Sequence, residues 1–390
     1  ATTIRLDSSI DLNDVAGNDG FLFVRNGVGF AGRGVAMRMT FSEVAQTLRL
    51  IHHVNQTDLN VSPIALGVLP FDVEAPANFL IPRQTVGKDT DGNCWLTTID
   101  DASQILKASV APKIQANEFS VKPLTPIDHY QKAVQQARQA VRDGHITKAV
   151  IARDVFVSSS QPIDIYSVLL RLRNSFGSSY QFSVDGFVGA SPELLVSIVD
   201  GEVSSHPLAG TAPRTGDPTT DAQLATSLLS STKNQIEHRI VIDAVHDTLL
   251  PWCSYLDWEP EASIVAVANV QHLGTHMLGR LSEPFLHVLD AVYALSPTPA
   301  LGGFPRDKAL KLIADVEGMS RGRYGGAVGW FDAQGNGVWA VAIRCAEYSN
   351  NNMTARLFAG GGIVADSEPL AELAETQAKL QAMLAAIIRP

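Results

Sequence analysis

The feature that most limits the architecture is a series of long apolar strands linked by turns. "KAVIARDVFV" (148–157), "YQFSVDGFVGA" (180–190) and "ELLVSIVDGEVSS" (193–205) follow one another, and "SIVAVANVQHLGTHMLGRL" (263–281), "YGGAVGWFDAQGNGVWAVAIRCAEY" (324–348) and "TARLFAGGG" (354–362) repeat the habit. Many of the joints have hairpin length, and helices fall between the strands without regular βαβ alternation. This predicts an α+β protein. Helices are expected over 128–144, stopped by Gly144, over 221–250 with a break near Ser231, and over 368–388. The first ~120 residues read as short strands with turns, and 390 residues suffice for two ordinary domains or one large one. "PLAGTAPRTGDPTTD" (207–221) reads as a mobile polar loop.

Gly27, Gly29 and Gly32 have the dinucleotide-binding spacing. That motif needs a helix to follow and an acid about 20 residues on. Here a strand follows and the region near His52 and His53 has no acid, so a hairpin turn is expected.

Several polar residues sit oddly in apolar surroundings. Lys148 opens a strand that is apolar on both faces. It is either a strand-end lysine snorkelling to water or a buried amine, and burial would favour the neutral, basic form. Glu193 follows Pro192 at the mouth of another apolar strand. It is either an exposed strand start or a carboxyl held protonated as a general acid. In "STKNQIEHRIVIDAVHDTLL" Thr232 and Gln235 form a capping-box pattern, and Glu237 then shares a helix face with Ile240, Val241, Ala244 and Thr248. A carboxylate beside an apolar stripe needs a cation. In the last helix Glu375 lies in a column with Ala371, Ala378 and Ala382, flanked by Glu372 and Lys379. Alternation puts Arg344 on one strand face with Val338, Ala340, Ala342 and Ala346, a floor of small side chains that leaves room for an anion. Glycines 360–362 can bring backbone amides to the same anion. His272 and His276 are four apart but on a strand, where four steps span ~13 Å, so they do not share a metal.

Bulk properties exclude other classes. The net charge is −10 and no long basic run occurs, which argues against nucleic acid. No apolar run approaches the ~18 residues of a membrane span. The opening "ATTIRLDSS" lacks the basic and apolar regions of a signal peptide. The three cysteines are far apart and odd in number, which fits a reducing compartment, so a cytoplasmic location is expected.

Together, "KAVIARD", "GASPELL", "PLAGTAPR", "KNQIEH", "SPTPALGGFP", "YGGAVGW", "AIRCAEY", "LFAGGGIV" and "AELAETQAKL" resemble, in order, the chorismate-utilising enzymes. That family includes isochorismate, anthranilate, aminodeoxychorismate and salicylate synthases. The resemblance covers roughly 120–388 and is loose before that. It implies a large chorismate-binding fold with two long antiparallel sheets packed together and helices outside. Residues 1–120 would be a β-rich part of the same body, and 121–390 the chorismate-binding domain. It implies that Glu237 and Glu375 hold Mg²⁺ with Glu372 close by, completed by the ring carboxylate of chorismate. Arg344, Tyr324 and the amides near Gly360 and Gly362 would take the enolpyruvyl carboxylate. Gly210, Thr211 and Lys379 would line the site, and His272 would sit near the ring.

Three positions select the branch that the resemblance implies. Ammonia-using members usually have glutamine where Lys148 stands, aminodeoxychorismate synthases have a nucleophilic lysine where Ala209 stands, and pyruvate-losing members read like "TVSGAP" around Ala300. The pattern is that of an isochorismate synthase, with Lys148 as base and Glu193 as acid. Its product would feed siderophore or menaquinone biosynthesis. A monomer without a glutaminase subunit is expected. Asn234 departs from relatives that carry a second acid near the metal. Salicylate synthase is the alternative enzyme. A non-catalytic anion- or nucleotide-binding protein is the alternative from another class.

Overall fold

Phe21–Arg25 and Val28–Met39 pair antiparallel around Asn26 and Gly27, whose φ values are 52° and 77°. Two successive left-handed residues make the turn that matches strand twist, so the glycine spacing belongs to a hairpin. This is a computed structural model, and it describes residues 1–6, 10–100, 116–267 and 269–389.

Among the described residues twenty strands form one hydrogen-bonded network, and a further three form a small sheet. The large network has two arms that share the long strands Val28–Met39 and Asn78–Lys88. One arm runs through Phe21–Arg25, Tyr180–Val184, Phe187–Ser191, Cys345–Tyr348 and Thr354–Ile363 to Lys148–Ser159. The other runs through Ile64–Leu69, Ala327–Asp332, Gly337–Val341, Leu194–Val199 and Glu202–His206 to Met277–Leu281. All of these pairs are antiparallel. A register shift between Val35 and Met37 marks where the shared strand passes from one arm to the other. Strands from the first hundred residues are thus hydrogen-bonded directly to strands from the rest of the chain.

The arms face each other across an aromatic layer in which Phe30 meets Trp330 edge to face at 4.7 Å. Helices cover the outer faces. Ile127–Arg142 packs Val134 and Ala137 against Ile151 and Ile363. Ile165–Phe176 and Pro369–Ile388 bring Leu169, Leu172, Leu380 and Met383 onto Leu357 and Ala359. Val288–Leu295 lies in the same buried cluster as Phe331 and Trp339. The expected pair of antiparallel sheets with helices outside is therefore present, with the sheets joined through their shared strands.

Three local expectations need correction. Residues 208–213 are not a loop: Leu208–Pro213 is a strand of the small sheet, paired with Val270–Gly274. Its alternation was hidden by small residues and a bulge between Ala209 and Thr211. The helical segment does break at Ser231, into Pro218–Ser230 and Thr232–Leu249, but Ser231 is the cap, its hydroxyl accepting from the Asn234 amide at 3.3 Å. Arg344 does not continue a strand. It sits between Gly337–Val341 and Cys345–Tyr348 with φ of 51°, so simple alternation cannot assign its face.

Candidate active site

Lys148 begins the last strand of the first arm and is 1% exposed. It does not snorkel. Phe304 pairs with it on one edge, and a Cβ on Gly362 would lie 2.9 Å from its Cε. The amine turns inward and donates to Glu237 Oε1 at 2.9 Å.

Glu193 lies between Phe187–Ser191 and Leu194–Val199, just ahead of a register shift between Leu194 and Ser197. It is 3% exposed. Among the described residues its carboxyl accepts one hydrogen bond, a long one from the Leu208 amide at 3.4 Å. Burial pushes its carboxyl up to about 8, although the Leu208 amide and the charges of Lys148 and Arg344 pull the other way. It is therefore a protonated acid at neutral pH.

The small sheet supplies the facing wall. Gly210 sits in its bulge at φ 71°, and a Cβ there would fall 3.1 Å from Asn234 Cβ. His272 is fully buried beside it, and burial and the Arg344 charge hold the imidazole well below its usual range, so it is neutral. Gly210 carbonyl lies 3.0 Å from Nδ1 and can only accept, so the proton is assigned to Nδ1. Nε2 is then free to accept from Arg344 Nη2 at 3.0 Å. Thr211 Oγ1 is 3.2 Å from the same Nδ1. The Arg344 guanidinium is thus oriented, yet its buried Nε has no hydrogen-bond partner among the described residues. A buried donor in that state suits an anionic ligand. Tyr324 stacks on Phe358 at 5.2 Å, and burial keeps its phenol protonated.

The glycine run answers to space rather than to torsion. A Cβ on Gly361 would fall 2.7 Å from Glu372 Oε2, and one on Gly362 would fall 2.5 Å from Glu237 Oε1. The bare strand lets two helices press carboxylates onto it. From Pro369–Ile388, Glu372 sits on the buried face and Glu375 beside it is half-buried. Lys379 donates to Glu375 Oε1 at 2.6 Å and to the Gly360 carbonyl at 2.9 Å. Glu372 lies 4.0 Å from Lys233. Burial, with the charge of Glu375, pushes the Glu372 carboxyl up to about 7.

These groups enclose one cavity of about 170 Å³. Lys148, Glu193, Gly210, Thr211, Glu237, His272, Ala300, Tyr324, Arg344, Gly360, Gly362, Glu372, Glu375 and Lys379 all line it, so the residues that the family resemblance assigned to the site are gathered there. Lys233, Val150, Leu208, Leu301 and Ile343 also line it and were missed. Lys233 carried a usable signal, since it precedes Glu237 by one helical turn.

The donor set fits a magnesium ion. Glu237, Glu372 and Glu375 offer only oxygen, and crowded carboxylates on a bare strand call for positive charge. Among the described residues no three His, Cys, Asp or Glu side chains form a ready-made cage. Magnesium keeps several waters and binds through one or two carboxylates plus substrate, so an open wall suits it.

The chain belongs to the family described as chorismate binding enzymes, which it matches over residues 34–388. Similar curated proteins include isochorismate synthases. It is 34% identical to isochorismate synthase DhbC of Bacillus subtilis (strain 168) over 364 residues, 90% of this chain and 86% of the relative. It is 39% identical to a putative isochorismate synthase, MenF, of Mycobacterium tuberculosis (strain ATCC 25618 / H37Rv) over 339 residues, 84% of this chain and 87% of the relative. The crystal structure of a putative 2,3-dihydroxybenzoate-specific isochorismate synthase, DhbC, from Bacillus anthracis matches with a TM-score of 0.81 at 32% identity, covering 96% of this chain and 97% of that one.

Proposed function

We propose that the protein is an isochorismate synthase that isomerises chorismate with Mg²⁺ bound, supplying siderophore or menaquinone biosynthesis. The observation that carries this reading is the burial of Lys148 and Glu193 in one cavity, with Glu193 protonated at neutral pH.

Arg344 and Tyr324 receive the enolpyruvyl carboxylate, and His272 fixes the fork of Arg344. Lys148 takes a proton from a water whose oxygen bonds to ring carbon 2. The double bonds shift, and the bond from carbon 4 to its hydroxyl breaks. Glu193 gives its proton to that departing hydroxyl, which leaves as water. One water enters and one leaves, so the product is an isomer. Glu237 and Glu375, with Glu372 beside them, would hold the metal. When bound, Mg²⁺ supplies positive charge for the ring carboxylate and engages the Glu237 carboxylate that otherwise pairs with Lys148. Ala209 leaves no covalent nucleophile at the position where aminodeoxychorismate synthases have lysine.

The test is a product analysis. Purified protein with chorismate and Mg²⁺ should give isochorismate by chromatography, with pyruvate, followed by coupled lactate dehydrogenase, at no more than a minor fraction. The reaction should run backward from isochorismate, because one allylic alcohol is exchanged for another. Stoichiometric pyruvate with salicylate would move the protein to the salicylate synthases. An inert protein that still binds chorismate would support the non-catalytic reading.

A further inference from the structure

Helix Arg306–Val316 ends on Glu317, and one turn later comes Arg321. Both side chains are 2% exposed. They form a two-pronged pair, Arg321 Nε to Glu317 Oε2 at 2.8 Å and Nη2 to Oε1 at 2.6 Å. The pair lies outside the cavity lining, and nothing in the reaction uses it. Burying two charges is unfavourable unless their remaining donors and acceptors are matched. Here they are matched by backbone. Arg321 donates to the Val150 carbonyl at 2.7 Å and the Leu301 carbonyl at 2.8 Å, and Glu317 Oε1 accepts from the Ala152 amide at 2.6 Å. Phe71 closes the far side, its ring centre 4.2 Å from the guanidinium carbon.

The site of these contacts is a gap in the sheet. One edge of Lys148–Ser159 is fully paired with Thr354–Ile363. On the other edge Gly303–Phe304 pairs with Ala149 and Lys148, and Phe119–Pro123 pairs from Val155 onward. Among the described residues no strand pairs with this edge between Ala149 and Val155. The Val150 amide reaches the Gly302 carbonyl at 2.9 Å, and then the ion pair takes the next acceptor and the next donor. Two side chains thus stand in for a missing piece of strand. Two of the backbones so tied, Val150 and Leu301, belong to cavity residues. Val150 is two residues from Lys148, and Leu301 follows Ala300.

We propose that Glu317 and Arg321 are positioning residues that fix the Lys148 strand and the Ala300–Leu301 wall in register for the reaction. This rests on Lys148 being the base. A displacement of about 1 Å in a reacting group can cost ~10²-fold in rate. Removing the pair should therefore reduce kcat more than substrate binding.

The test uses the whole chain with Mg²⁺. Glu317→Leu combined with Arg321→Met removes both charges, an exchange that is often neutral or stabilising for a purely structural pair. Here the Val150 and Leu301 carbonyls and the Ala152 amide also lose their partners, so the expected result is a folded protein with a lowered melting temperature, a chorismate Kd within about threefold, and kcat lower by ~10- to 100-fold. Arg321→Lys is the second variant. It keeps the charge but cannot make the planar fork, so kcat should again fall with Kd little changed, and it serves if the double variant fails to fold. A folded double variant, or Arg321→Lys, with kcat within about threefold of the parent overturns the proposal. So does a loss confined to KM. Lys148→Ala is measured alongside. If it retains activity, the assignment of the base fails. If it is inactive while the ion-pair variants are active, only the positioning role fails.

Discussion

Glu193 and Lys148 reach one cavity through opposite provisions. The Glu193 carboxyl receives a single long hydrogen bond, so burial outweighs the Leu208 amide and the nearby positive charges in setting its proton. Lys148 receives a carboxylate partner, so its amine is placed before any substrate arrives. Lys148→Ala should lower kcat by ~10²–10⁴-fold while chorismate binding, followed by calorimetry, persists. Near-normal turnover would remove Lys148 from its role. Glu193→Gln keeps a donor but no transferable proton and should lower kcat by a similar ~10²–10⁴-fold. A carboxyl titrating at about 8 is protonated below that value and ionised above it. The profile of log kcat/KM should therefore bend downward as pH rises through about 8. A limb that survives in Glu193→Gln, with measurable residual activity, would belong to another group.

At the scale of elements the glycine strand is the most constrained piece. Gly362→Ala would place a methyl group 2.5 Å from Glu237 Oε1 and 2.9 Å from Lys148 Cε, and one of them must move. Activity and Mg²⁺ affinity should fall together, by tenfold or more on the scale of a ~1 Å displacement, while circular dichroism stays that of the parent. Unchanged kinetics would mean the helix has room to retreat. The same strand shows why the sequence was legible where it was. Period-two strands and glycine stops are local signals, so most strands and the final helix could be read directly, whereas their pairing into two sheets came only from the family resemblance. Lys148, Glu193 and Glu237 were conspicuous because a charge in apolar surroundings needs a reason. Arg344 and the 208–213 strand were misread because a left-handed residue and a bulge each break the alternation on which the reading relied. The Glu317–Arg321 pair gave no local signal at all, since an i, i+4 pair looks the same on an exposed helix as in a buried gap. Which carboxylate of the last helix is buried could not be read from the alanine column, because small residues permit contact without specifying the partner.

For the whole molecule, a bound metal and a stable fold are linked. Mg²⁺ that binds the folded state alone raises the melting temperature in step with RT ln(1 + [Mg²⁺]/Kd), and chelator should reverse the rise as it abolishes turnover. Glu237→Gln and Glu375→Gln should each blunt both responses, read by calorimetry and by rate. A chelator-treated protein that turns over normally would exclude the metal role. The pairing of lysines with glutamates in the cavity has a further consequence for how fast substrate arrives. The chain as a whole carries −10, and chorismate is a dianion, so the outer surface should repel it. The cavity differs: Lys148, Lys233, Lys379 and Arg344 face Glu237, Glu372 and Glu375, with Glu193 uncharged at neutral pH. Lys233, 42% exposed, carries that cationic character to the rim. A cationic excess at the mouth of a cleft, within a surface of the other sign, focuses the field along it. Salt weakens the long-range repulsion and the local attraction alike, and the attraction acts over the last ~10 Å, where screening at ~0.1 M is incomplete. Encounter with chorismate should then depend on Lys233. Lys233→Gln should slow the association rate in stopped-flow binding and flatten its dependence on ionic strength, while leaving kcat at saturating substrate nearly unchanged.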